Sequence, residues 1–163
     1  MIIVSDAGPI GHLIQIGRID LLPKLFGRII LTPVVLRELQ HEAAPLEVRE
    51  WLKGLPPWME LREPKAPIEL QRSGAGEREA IQLAKELQTP LLCDDRRAVK
   101  QARREGLTVT GTLGVLQQAD ARGWLSIEPE IEKLRTLTSM RLTEHLVEKV
   151  LIDTRAMRYD TDR

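Results

Sequence analysis

Hydrophobic positions along this chain keep two rhythms and alternate between them. Ile2-Ile3-Val4, Ile29-Ile30-Leu31 and Leu91-Leu92-Cys93 are unbroken apolar runs, the pattern of strands buried on both faces of a parallel sheet. Trp58-Met59-Glu60-Leu61 alternates apolar with polar, as an edge strand with one solvated face does, and Leu107-Thr108-Val109 reads as a fifth strand. Between these the spacing turns helical. Ile10, Leu13, Ile14 and Ile16 make one apolar face, and Ile19, Leu21, Leu22 and Leu25 continue it past the Gly17 break. Thr32-Pro33 starts a helix with Val34, Val35 and Leu39, Thr32 as N-cap and Pro33 in first position. Leu46, Val48, Trp51 and Leu52 form a short helix after Ala43-Ala44-Pro45. Ala80, Leu83, Ala84 and Leu87 fall at i, i+3, i+4 and i+7 in a helix starting near Glu77. Helices are also expected over 96–104, from Thr112 towards Gly123, over 131–137 and over 143–152. Residues 62–73, with Pro64 and Pro67, read as a loop.

Strand and helix alternate throughout, which predicts one α/β domain with a largely parallel sheet over residues 1–154 and a flexible, charge-alternating tail at 155–163. With the first strand central and an order of 3-2-1-4-5, the first and fourth strands are neighbours. Asp6 ends the first and Asp94-Asp95 end the fourth, so these acids converge at the carboxyl edge, where open α/β sheets bind ligands. Two helix-borne acids join them: Glu38 borders a buried face one turn on from Val34, and Glu77 lies a turn before Ala80 and Ile81.

Composition acts mainly by exclusion. The charge balance, 24 basic against 24 acidic residues, provides no global field to draw in nucleic acid or anionic lipid, so any such contact must be local. Aromatic residues, at 3%, are too few for base-stacking platforms, but a surface that reads the nucleic-acid backbone needs none. No apolar run approaches the ~18 residues of a membrane span and no basic leader precedes the first strand, so a cytoplasmic location without membrane contact is expected. The single Cys93 reads as a small buried hydrophobe. Gly74-Ala75-Gly76 follows a loop and lacks a succeeding Lys-Ser/Thr, which excludes a phosphate-binding loop. Gly8 stands where a haloacid-dehalogenase-like phosphatase would carry its second acid.

Carboxylates gathered in one pocket repel and stay ionised together only beside a cation. An all-oxygen set selects Mg²⁺ or Mn²⁺, and His12, His41 and His145 lack the spacing of zinc ligands. Such ions suit phosphodiester hydrolysis. Arg96, Arg97, Lys100, Arg103 and Arg104 load one short helix with cations, and Arg96 and Arg97 oppose its dipole, which makes sense where phosphates pass the mouth of an acidic pocket. Thr110-Gly111-Thr112 opens the next helix, with the Thr112 hydroxyl or the first amides available to a phosphate.

Several segments together resemble the PIN domain. These are Ile3-Val4-Ser5-Asp6-Ala7-Gly8-Pro9-Ile10, Ile30-Leu31-Thr32-Pro33-Val34-Val35-Leu36-Arg37-Glu38-Leu39, Gly76-Glu77-Arg78-Glu79-Ala80-Ile81, Leu91-Leu92-Cys93-Asp94-Asp95-Arg96-Arg97 and Val109-Thr110-Gly111-Thr112-Leu113-Gly114-Val115-Leu116, followed by Met140-Arg141-Leu142-Thr143 before a late helix. The set is most similar to the VapC-type branch of prokaryotic PIN proteins. The resemblance implies a three-layer α/β/α fold around a five-stranded sheet and a metal-dependent endoribonuclease, the toxin of a type II toxin–antitoxin system. Its catalytic acids would be Asp6, Glu38, Glu77 and Asp95, with Asp6, Glu77 and Asp95 on Mg²⁺ or Mn²⁺ and with Arg96, Arg97, Lys100 and Thr112 towards RNA. The implied partners are the RNA, a cognate antitoxin and a second copy of the chain. Glu79 is a rival to Glu77 and Asp94 to Asp95. Ala7 stands where the family commonly has Ser or Thr, which leaves Ser5 or Thr112 as the hydroxyl near the metal. The alternative is a non-catalytic PIN-like module that binds RNA or protein.

Overall fold

A computed structural model of the chain describes residues 1–66 and 74–161. In chain order β1 (Ile2–Ser5) leads to α1 (Ala7–Gln15) and α2 (Leu21–Phe26), and β2 (Arg28–Leu31) to α3 (Pro33–Gln40) and α4 (Leu46–Trp51). β3 (Met59–Leu61) precedes α5 (Ala75–Leu87), and β4 (Leu91–Leu92) precedes α6 (Arg96–Arg104). β5 (Val109–Thr110) is followed by α7 (Thr112–Ala121), α8 (Ile127–Leu137) and α9 (Glu144–Thr161). All strand pairs are parallel and the order is β3-β2-β1-β4-β5, with helices packed around the sheet, as the apolar runs predict.

The central strands have no solvated face. Ile3, Val4, Ile29, Ile30, Leu31, Leu91 and Leu92 are all buried, each a side chain whose removal from water contributes roughly 1.5–3 kcal/mol. β3 is the alternating edge strand: Met59 is buried while Glu60 takes hydrogen bonds from Arg28 at 2.5 Å and Arg62 at 2.7 Å. Among the described residues no helix is long and apolar enough to cross a membrane.

Strand register places the functional rim. Val4 lies level with Ile30 and Leu91, Ser5 with Leu92, and Leu92 with Thr110. Pairing runs one residue further, with the Asp6 amide donating to the Leu92 carbonyl at 2.8 Å and the Cys93 amide to the Thr110 carbonyl at 3.0 Å. β1, β4 and β5 therefore end together, and Asp6, Asp94 and Gly111-Thr112 emerge at one edge.

The structure departs from the sequence pattern in three places. β5 begins at Val109 because the Leu107 amide closes α6, donating to the Ala102 carbonyl at 3.0 Å. α8 begins at Ile127, ahead of Pro129. A proline in the first turn lacks only an amide that no helical carbonyl would have accepted, and the Asp120 carboxylate takes the Ile127 amide at 2.8 Å. Finally, α9 continues through Thr161 where a flexible tail from residue 155 was expected. Its inward stripe passes from Val150 to Thr154 and then to Arg158. Thr154 is buried and bonds the Val150 carbonyl at 2.6 Å. Arg158 grips Asp120 with two nitrogens, Nη2 at 2.6 Å from Oδ2 and Nε on Oδ1. The expected loop is irregular through residue 66, where Glu86 accepts the Lys65 and Ala66 amides at 2.9 Å, and the rest of it lies outside the described residues.

The Arg158–Asp120 pair ties the end of α9 to α7. Arg158→Ala leaves a carboxylate with 1% side-chain exposure short of its main partner, an expected loss of about 1–3 kcal/mol. Urea unfolding should show a lower midpoint with an unchanged slope, and so should a chain ending at residue 154. Midpoints equal to that of the full chain would return the boundary to 154.

Candidate active site

The rim carries a cleft of about 810 Å³ lined by Asp6, Glu38, Glu77, Asp94 and Asp95. Four predicted acids and one rival thus meet, drawn from β1, α3, α5 and β4. Glu79 does not line the cleft, which separates it from Glu77.

Asp6 is the N-cap residue of α1 by backbone conformation, yet its carboxylate makes no capping bond. The sequence removes one of the two usual donors, because the third helical position is Pro9, which has no amide. The carboxylate is only 5% exposed as part of its residue; Oδ2 receives the Cys93 thiol at 3.7 Å and Oδ1 has no partner. Burial raises its pKa from 3.8 to about 7, opposed by the Ala7 amide and reinforced by the negative charges of Glu77 and Glu38. Burial, together with the charge of Asp6, also pushes the Cys93 thiol up, so Cys93 is the inert hydrophobe its setting predicted.

Glu38 is raised by burial and by the charge of Glu77, and the Gly76 amide partly compensates. That approach needs a glycine. A Cβ on Gly76 would stand 2.8 Å from the Glu38 carboxyl carbon, so α3 and α5 could not bring carboxylate and amide together. Glu77 reaches back to the Gly74 amide at 2.8 Å, which keeps its carboxylate at the start of α5.

The Asp94-Asp95 pair divides its work. Asp95 is exposed and caps α6, accepting the Ala98 amide at 3.0 Å on Oδ2. Asp94 is held from three directions. The Thr112 amide donates to Oδ1 at 2.7 Å, the Thr112 hydroxyl to Oδ2 at 2.6 Å, and His12 Nδ1 meets Oδ2 at 2.8 Å. A Cβ on Gly111 would come 2.6 Å from Asp94 Oδ1, and its absence admits the Thr112 amide.

Not every candidate reaches the cleft. Arg96 and Arg97 line it, while Lys100, a turn further along α6, does not. Thr112 is fully buried with its hydroxyl committed to Asp94, and the Ser5 hydroxyl bonds the Asp6 carbonyl at 2.8 Å, so both expected hydroxyls are structural. Polar residues given no part in the site by the sequence also line the cleft, His12, Ser139, Arg141 and Thr143; two of them, His12 and Arg141, can carry charge. His12 lies six residues after Asp6, on the helix that Asp6 starts, and Arg141 separates two apolar residues. Both signals are weak without the fold.

A parallel five-stranded sheet whose carboxyl edge gathers acids from separate elements is an α/β domain built around an acidic ligand site. Residues 2–155 match the family DUF3368: PIN domain, and the chain belongs to that family. PIN domains are generally nucleases and usually bind divalent metal. Among solved structures, the chain is similar to a PilT N-terminus domain protein, SSO1118, from the hyperthermophilic archaeon Sulfolobus solfataricus P2. The TM-score is 0.52 with 16% identity, covering 89% of this chain and all of that one, a likeness of fold. No curated protein matches the chain significantly.

The Asp6 charge makes a stability prediction for the metal-free protein. Because its folded pKa of about 7 lies above the unfolded 3.8, the folded state holds the extra proton between those values and stability falls as pH rises through them. Above that window the full cost is about 4 kcal/mol. With chelator present, Asp6→Asn should therefore be more stable than the parent at pH 8, and the difference should narrow by more than half at pH 5. Urea midpoints at the two pH values check this; a constant difference would mean that Asp6 is not strained by its charge.

Proposed function

We propose that the protein is a Mg²⁺- or Mn²⁺-dependent endoribonuclease and the toxin of a type II toxin–antitoxin pair. The observation that carries the nuclease reading is the unpartnered, buried Asp6 Oδ1 beside the charges of Glu38 and Glu77, in a cleft that also holds Arg96 and Arg97. The toxin role is supported by the ordered motifs that resemble VapC-type proteins. That role carries with it an antitoxin and a homodimer as partners and the cytoplasm as location.

The residues fit a hard divalent cation. Asp6, Glu38 and Glu77 offer carboxylate oxygens, and Asp95 retains the oxygen that its cap bond leaves free. Among the described residues no three such side chains already stand as a ligand set, so an ion would draw in the long Glu38 and Glu77 side chains. A divalent ion held there would neutralise these charges and would supply Lewis-acid chemistry for phosphodiester hydrolysis. The chain supplies the rest. Arg96 and Arg97 hold backbone phosphates at the cleft, and Asp94, fixed by Thr112 and His12, keeps the rim rigid beneath them. Asp6 must lose its proton before it can serve as a ligand, so metal affinity rises with pH through about 7.

Purified protein with Mg²⁺ or Mn²⁺ should cleave an RNA pool, chelator should stop it, and Asp6→Asn should slow it by at least ~100-fold. Equal cleavage by parent and variant would refute the reading. A titration with Mn²⁺ followed by calorimetry should show binding that tightens from pH 6 to pH 8 and is lost in Asp6→Asn. Growth arrest on expression of the parent but not of Asp6→Asn is the outcome expected of a toxin.

A further inference from the structure

Arg141 stands in the loop between α8 and α9, far in sequence from every acid of the cleft it lines. It is exposed, and five carboxylates share that cleft, those of Asp6, Glu38, Glu77, Asp94 and Asp95. Even so, it makes no ion pair or hydrogen bond among the described residues. Arg18, Arg28, Arg62, Arg135 and Arg158 each hold a carboxylate; Arg141 shares a cleft with five and holds none.

The loop that carries Arg141 is anchored on both sides. The Thr138 hydroxyl donates to the Leu134 carbonyl at 2.6 Å and accepts the Met140 amide at 3.1 Å, tying the loop to the end of α8. Gln15 of α1 donates to the Leu137 carbonyl at 3.0 Å. On the far side, Thr143 accepts the Leu146 amide at 3.1 Å and so caps α9. Met140 and Leu142 both pack against the core, which leaves Arg141 as the outward residue between them. Anchoring on both flanks fixes the backbone, and the guanidinium keeps its five donors for an anion arriving from solvent.

We infer that Arg141 is a phosphate-binding residue for single-stranded RNA, holding the strand over the acids from the α8–α9 loop while Arg96 and Arg97 hold it from the start of α6; the inference rests on the nuclease reading above. An acidic cleft repels an RNA backbone unless cations lead it in, and a neutral chain has no global field to do so. Local arginines from two elements solve that problem. The planar guanidinium also pairs with two phosphate oxygens at once, which fixes the position of the strand as well as its affinity. Because Arg141 would bind phosphate equally in the ground and transition states, its removal should raise KM more than it lowers kcat.

The test separates this inference from the nuclease reading. In the Asp6→Asn background, where RNA is not consumed, binding of a fluorescein-labelled single-stranded RNA of twelve nucleotides is followed by anisotropy over a range of KCl. Arg141→Ala should weaken binding about tenfold and flatten the slope of log K against log salt by about 0.7, the contribution of one phosphate contact on a single strand. Arg141→Lys should recover part of the affinity, and the melting temperature should not move. Arg155→Ala, which removes an exposed charge on α9 away from the cleft, is the control. An Arg141→Ala protein with the affinity and salt slope of that control would overturn the inference even if the parent cleaves RNA. Arg141-dependent binding by a parent protein that does not cleave would uphold it and remove the nuclease reading. Failure of the parent both to bind and to cleave removes the two together.

Discussion

Parallel pairing of β1 with β4 forces two chain segments that each end in acid to finish at the same level. Nothing in the local chemistry favours that meeting. Asp6 is buried, the Glu38 and Glu77 charges act on it, and its carboxyl pKa is driven to about 7. The arrangement persists because β1 and β4 are apolar on both faces, and their burial outweighs the few kcal/mol that the charge costs. The core therefore holds a strained electrostatic site in place, which is the relation expected where a ligand later relieves the strain.

Small differences in capping chemistry distribute the acids among roles. Asp6 and Asp95 both occupy the N-cap position of a helix that follows a parallel strand. Asp95 meets the amide of Ala98 and becomes a cap. Asp6 meets Pro9, which has no amide at the third helical position, and keeps one oxygen without a partner. Glycines shape the same rim by what they lack. At Gly76 a missing Cβ admits the Glu38 carboxylate, and at Gly111 it admits Asp94. The helices can thus close on the acids without side chains between them.

Much of this was legible in the sequence. The unbroken apolar runs identified the central strands, because period and length separate a doubly buried strand from a helix, and the order assumed for them, 3-2-1-4-5, is the one the structure has. Asp6 and Asp94-Asp95 were recognisable as strand-end acids for the same reason. The end of α9 was not legible, since its inward stripe passes from Val150 to Thr154 and Arg158, and a polar pattern reads as solvent. Only Asp120, held in place by the packing of α7 against α9, turns Arg158 into an inward residue. β5 was displaced by two residues because closure of α6 and extension of the strand compete for the Leu107 amide, and packing decides between them.

The sequence by itself determined the fold class, the central strands and the set of acids, because hydrophobic periodicity and strand ends are local properties. The tertiary structure decided which acids are free to act. That Asp94 is gripped by Thr112 and His12, that Thr112 is sealed from the cleft, and that Arg141 shares it are all relations between segments far apart in the chain. Hydrogen bonds of that kind depend on distance and angle to within fractions of an ångström, and no spacing along a sequence encodes them.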